Sequence, residues 1–217
     1  MTKTYSILIA LLFSLPLVAQ EQAKTLFNQI PDSICQILTN VNRADCIDFL
    51  ESNMRAIVTN RFNTKSEMTD LSADYIRIKL TEKSSWQMKV LPVNDSTQVI
   101  CTIHTFAAPA KDSKIRFYDS TWKELDASTF LSGYPVSTEA FVCEEKIAGS
   151  TEFPALFKHI DMLLMEAELN AEDTTLKLRF TTPDYIEKET AEKLKPYLRR
   201  TKKYNWSDAR FMPDIEQ

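Results

Sequence analysis

Glycine is almost missing from this chain: its 217 residues include two, Gly133 and Gly149. A loop that cradles phosphate needs clustered glycines, because the backbone must approach the anion closely. Neither a dinucleotide fingerprint nor a P-loop can be written here, and the nucleophile elbow of α/β-hydrolases is also absent. Histidine is equally scarce, with only His104 and His159. No His-x-x-x-His pair exists, which excludes the helical zinc-protease motif. The four cysteines fit neither a zinc knuckle nor a Cys-x-x-Cys redox pair. A Ser-His-Asp triad stays open, since its members can be far apart in sequence, but nothing points to one. No catalytic residue, metal site or cofactor is expected.

The N-terminus carries an apolar run. Lys3 precedes it, Pro16 interrupts it, and Leu17, Val18 and Ala19 end it before polar Gln20, Glu21 and Gln22. The run is too short for a spanning helix, which needs about 20 apolar residues. Its order of basic, apolar and small-residue regions is that of a secretory signal. Residues 1–19 are therefore expected to be a cleaved signal peptide, with the protein exported to the periplasm or cell surface. No Cys sits just after the run, so no lipid anchor is expected. No later stretch reaches transmembrane length. Residues 20–217 suit a single domain, and 44% apolar content supports a core. The net charge of −4 and the exported location disfavour nucleic acid as a partner.

Export also permits disulfides among Cys35, Cys46, Cys101 and Cys143. On one unbroken helix the first two Cα atoms would lie roughly 16 Å apart, whereas a bridge needs less than about 7 Å. A 35–46 bridge thus requires a turn, which residues 39–42 could supply. Cys101 and Cys143 both fall in strand-like stretches and either pair or stay as buried thiols. The connectivity remains open.

Hydrophobic periodicity gives an α+β pattern, with an antiparallel sheet meander packed against N-terminal and C-terminal helices. Pro31 in a first turn predicts a helix carrying Ile34, Ile37 and Leu38. Asn42 is placed to cap a second helix, from Arg43 to Ser52. Period-two alternation predicts strands over Tyr75–Leu80, Trp86–Val90, Val99–Ile103 and Lys114–Tyr118. Pairing Leu80 with Trp86, Val90 with Val99 and Ile103 with Ile115 puts every large apolar residue of the set on one face. Further strands are expected at 140–143 and 204–211. A hairpin turning at Asn170–Asp173 would set Met165 opposite Leu178 and Glu166 opposite Lys177. A helix is expected from about Thr182 to Lys195.

That meander register leaves a second face bearing Tyr75, Arg77, Lys79, Gln87, Lys89, Thr102, His104, Lys114, Arg116 and Tyr118. It is basic and aromatic on an acidic protein. It reads as an ordinary solvated face or as a platform for an anionic ligand. His104 has no carboxylate opposite it, so a surface histidine is favoured over a catalytic one. Asp45 and Asp48 share a helix face beside Arg43, but Asp45 in a first turn is accounted for by the helix dipole. Lys193, Lys195, Arg199, Arg200, Lys202 and Lys203 form a basic run that reads as a solvated helix end.

Several stretches resemble an exported Bacteroidales family, a domain of unknown function. They are 30–33 (IPDS), 38–45 (LTNVNRAD), 47–49 (IDF), 58–61 (VTNR), 71–75 (LSADY), 87–92 (QMKVLP) and 112–119 (DSKIRFYD) followed by Trp122. The resemblance implies a periplasmic or surface protein and brings no catalytic residues with it. The leading expectation is a non-enzymatic exported module that binds an anionic glycan or an envelope protein through its sheet face. The competing expectation is a small hydrolase of envelope or glycan polymers. A cleft with convergent polar groups and shifted pKa values would favour the enzyme.

Overall fold

Strand-forming sequence dominates the first half of the chain and closes into a seven-stranded meander. A computed structural model describes residues 22–214; the expected signal peptide lies outside the described residues. The strands are β1 Ala56–Thr59, β2 Lys65–Leu71, β3 Tyr75–Thr81, β4 Ser84–Pro92, β5 Gln98–Ala107, β6 Lys111–Tyr118 and β7 Glu124–Leu125. Each pairs antiparallel with its neighbour in sequence. A second, four-stranded sheet runs β11-β10-β9-β8, from β8 Met165–Leu169, β9 Thr175–Phe180, β10 Thr201–Ser207 and β11 Arg210–Pro213. Helices α1 Gln22–Asn28 and α2 Asn40–Glu51 precede the first sheet. The protein is α+β. Among the described residues no helix is long and apolar enough to cross a membrane.

The registers decide which faces are buried. Between β5 and β6, Ile103 opposes Ile115 and Cys101 opposes Phe117, as expected. Between β3 and β4 a bulge moves the pairing by two, so Ile78 opposes Trp86. That shift keeps each side chain on its face. Between β4 and β5 the pairing moves by one, with Val90 opposite Ile100 and Trp86 opposite His104. The loop between these strands sets this register: the Asn94 carboxamide oxygen accepts from the Ser96 and Thr97 amides, and Pro92 meets Gln98.

A one-residue slip exchanges faces, so the expected wet basic face does not exist as a unit. Trp86 through Leu91 are all buried. One face carries Ile76, Ile78, Trp86, Met88, Val90 and Ile100 under Phe27, Leu38, Cys46 and Ile47 of the N-terminal helical segment. The other carries Tyr75, Leu91, Val99, Cys101, Ile103 and Phe117 under Leu169, Leu176, Leu178 and Phe180 of the second sheet. Covering both faces adds apolar burial worth about 1.5–3 kcal/mol per large side chain.

Other elements also depart from expectation. Residues 30–38 form turns, and the first helix is α1 instead. The N-cap of α2 is Thr39, with Asn42 as the reciprocal member of its capping box. Residues 138–141 make a 3₁₀ turn in place of a strand, which stacks buried Phe141 on Phe180 at 5.1 Å. The β8–β9 register differs by two, so Glu166 faces Arg179. A 3₁₀ turn at Thr182–Asp184 and the short helix Lys188–Leu194 replace the single expected helix. The expected last strand is a hairpin that turns at Asp208 and Ala209, both at positive φ. All four cysteines are free, so neither candidate bridge is formed. Burial pushes the Cys46 thiol up to about 11 and Cys101 upward as well.

A polar cleft between the two sheets

The second sheet stands on the first by its edge. An edge strand presents unpaired backbone donors, and β8 has its donors capped by side chains of the first sheet. The amides of Met165, Ala167 and Leu169 donate to Asp112 Oδ1 (3.2 Å), Ser113 Oγ (2.9 Å) and Gln87 Oε1 (3.1 Å). Gln87 Oε1 also accepts from the Tyr75 hydroxyl at 3.2 Å. Lys89 is 1% exposed and donates to the Ala171 carbonyl at 3.2 Å. It also pairs with Asp74 at 3.0 Å and lies over the Tyr75 ring. Two polar residues that look solvent-facing in sequence are thus anchors for the β8–β9 hairpin.

This footing leaves an angle between the β2–β3 end of the first sheet and the outer face of the second. The angle is a cleft of about 610 Å³. Asp70, Tyr75 and Arg77 form one side; Glu168, Lys177 and Lys203 line the other, with the Thr175 and Thr201 side chains. A second hollow of about 460 Å³ shares Asp70, Tyr75 and Ala171 and continues toward Lys24 and Glu51, which form an ion pair. Arg77 joins the two walls through Glu168 at 2.5 Å. Burial lowers the Arg77 pKa, but the bond to Glu168 outweighs it, so the guanidinium stays charged. Burial pushes Tyr75 up to about 12.

Of the residues expected on one basic face, Tyr75 and Arg77 line the cleft. Lys89 lies beneath it, and Lys79 is exposed farther along β3. His104, Lys114, Arg116 and Tyr118 belong to the opposite, helix-covered side of the sheet. There His104 packs on Phe106 at 4.1 Å, and burial followed by the Arg116 charge lowers its pKa. Arg116 contacts the Tyr118 hydroxyl at 3.4 Å and Glu124 at 3.6 Å. Arg43 is a buried structural residue, and no group of metal-ligating side chains is assembled among the described residues. In the basic run, Lys193, Lys195 and Arg200 are ion-paired with Glu189, Glu192 and Asp184. Asp70, Glu168, Lys177 and Lys203 emerge as cleft residues from the structure. Seeing them needed the contact between the sheets, which no local pattern encodes.

Fold and cleft together define a two-sheet α+β protein with a charged groove where one sheet stands on the other. The chain belongs to the family described as Protein of unknown function (DUF3256), whose profile matches residues 14–211. Its fold is similar to the solved structure of a domain of an uncharacterized protein from Porphyromonas gingivalis W83, a member of the Bacteroidales. The TM-score is 0.77 at 24% identity, over 90% of this chain and 98% of that one. That likeness concerns the fold alone. No curated protein matches the chain.

Proposed function

We propose that the protein is exported and acts as a non-enzymatic binding module that holds a glycan in the inter-sheet cleft. The observation that carries this reading is the cleft lining: hydroxyl, amide and charged groups from two sheets converge on one groove, spanned by Arg77 and Glu168. Such a lining suits a hydroxyl-rich ligand. A peptide adding itself as a strand is disfavoured, because the β8 edge beside the cleft is already capped by Gln87, Ser113 and Asp112. The leader-like residues 1–19 support export to the periplasm or surface.

A cleft is also what an enzyme would have, and its chemistry argues against one. Tyr75 is moved away from neutrality, whereas an acid–base catalyst is tuned toward it. Of the two carboxylates in the cleft, Glu168 is tied to Arg77.

The test uses retention on immobilised acidic and neutral glycans. Arg77→Glu with Lys203→Glu is expected to abolish retention, and Lys114→Glu on the opposite face to leave it intact. Loss with Lys114→Glu and not with the cleft variants overturns the site. Release of new reducing ends, abolished by Asp70→Asn, would establish the hydrolase instead. Export is checked by sequencing the N-terminus of the protein from the envelope fraction, where Gln20 is expected and an intact Met1 would refute cleavage.

A further inference from the structure

Lys177 and Lys203 stand directly opposite each other on β9 and β10. Like charges in that relation destabilise a sheet. The neighbouring charged pair on the same outer face is complementary: Arg179 faces Glu166 and bonds it at 2.9 Å. Lys177 does have a carboxylate on its other flank, since the register sets it opposite Glu168. Glu168 instead reaches across the cleft to Arg77. The Asp173 carboxylate, whose pKa is lowered chiefly by the Thr175 hydroxyl and also by the Lys203 and Lys89 charges, bonds the Thr175 amide at 2.8 Å. Among the described residues neither Lys177 nor Lys203 takes part in an ion pair. Two exposed ammonium groups thus line the cleft outside any ion pair, on a protein of net charge −4, with Asp173 in electrostatic range of Lys203 but bonded to Thr175.

We infer that Lys177 and Lys203 form a seat for an oxyanion, the carboxylate or sulfate group of an acidic glycan lying in the cleft. The inference rests on the cleft being the binding site. Its chemistry is simple. An oxyanion between the lysines replaces their mutual repulsion with charge-assisted hydrogen bonds, and Arg77, by occupying Glu168, keeps the competing carboxylate away. The seat costs stability when empty and recovers it when filled, which is the usual relation between a binding site and its fold.

The experiment is a titration of the full-length protein, followed by backbone amide NMR shifts, with four probes. They are an oligogalacturonate, a sulfated oligosaccharide, a neutral galactose oligomer and inorganic sulfate. Wild type is compared with Lys203→Glu, which turns the like pair into a complementary one. The expected result is that acidic oligomers shift the amides of Lys177 and Lys203. Lys203→Glu should weaken their binding at least about tenfold while raising the melting temperature. Gain of stability with loss of binding is an outcome that a purely structural role for Lys203 does not give. Acidic oligomers that bind in the cleft equally well to both proteins overturn the seat and leave the cleft intact. Inorganic sulfate binding as tightly as the oligomers makes it a free-ion site and overturns the glycan part. Shifts absent from the cleft with every probe overturn the cleft reading itself.

Discussion

Replacing Arg43 with methionine is expected to destabilise the protein by about 2–4 kcal/mol. Arg43 sits on α2 and is 2% exposed. Its Nη1 donates to the Leu38 carbonyl at 3.1 Å, and its Nη2 donates to Ile30 at 3.0 Å and Asn28 at 3.4 Å. One guanidinium therefore gathers the carbonyls of the turns between α1 and α2, a stretch with no regular ladder of its own. Asp32 adds a contact at 3.6 Å from the solvent side. A hydrogen bond from a charged donor contributes about 1.5–3 kcal/mol, so the two short buried ones give about 3–6. Against this stands the desolvation of the buried cation, whose Nε has no hydrogen-bond partner among the described residues; removing that penalty returns about 1–2 kcal/mol.

The assay is urea unfolding followed by tryptophan fluorescence, since Trp86 and Trp122 are buried in the same cluster as these turns. With a slope of about 2 kcal/mol per molar urea, the midpoint should fall by about 1–2 M. Arg43→Lys should recover less than half of the loss, because one ammonium cannot fork between Leu38 and Ile30. A local readout accompanies the global one. Cys35 lies in these turns, its thiol pKa raised by burial, and alkylation at that thiol should accelerate in Arg43→Met before the fold is lost. A midpoint within about 0.5 M of wild type, with Cys35 still protected, would refute the clamp.

Two further changes test other parts of the fold. Burial pushes the Glu166 carboxyl up, but hydrogen bonds from Lys111 (2.6 Å) and Arg179 (2.9 Å) outweigh it, and its pKa ends below the ordinary 4.5. A carboxylate depressed in the folded state contributes stability above the unfolded pKa and loses it as pH falls through the folded one. Glu166→Gln should therefore lower the melting temperature at neutral pH and flatten its decline below pH 4.5; parallel curves for the two proteins would refute the role. Ala209 occupies a left-handed conformation at φ 58°, which costs a residue with a Cβ about 1–2 kcal/mol. Ala209→Gly should raise the urea midpoint by the equivalent of about 0.5–1 kcal/mol once glycine's extra chain entropy is counted, and an unchanged or lower midpoint would contradict it.

How much of this could be read in the sequence depends on the range of the interaction. Alternation in Tyr75–Leu80 and Lys114–Tyr118 is local, and it located the strands of the meander. The β5–β6 pairing of Ile103 with Ile115 followed from the same alternation. The β4–β5 pairing did not. Gln87 and Lys89 look like solvent-facing residues of a half-wet strand, and that appearance favours the wrong register. They are buried because specific acceptors and donors from residues 169–171 meet them. A central strand covered on both sides reads as a continuous run, and two polar residues in β4 disguise it. The turns at 30–38 carry a helix-like sequence pattern without a helix for a related reason. The Pro31 carbonyl accepts from the Ile34 and Cys35 amides as in a single turn, but the Ile30 and Leu38 carbonyls are met by Arg43 from α2 and the Ile37 carbonyl by the Arg61 amide, so no helix propagates.

The same residues that spoil the sequence register determine where the cleft lies. Gln87, Ser113 and Asp112 fix the β8 edge onto the first sheet, and Lys89 fixes the hairpin loop. Once β8 is seated there, Glu168 on its outer face comes within reach of Arg77. That pairing takes Glu168 away from Lys177, its cross-strand neighbour, and among the described residues leaves Lys177 and the facing Lys203 outside any ion pair. The buried polar contacts and these exposed charges are thus linked in one chain of cause. Changing the footing of β8 should change the charge presented in the cleft, even though Gln87, Ser113 and Asp112 do not line it.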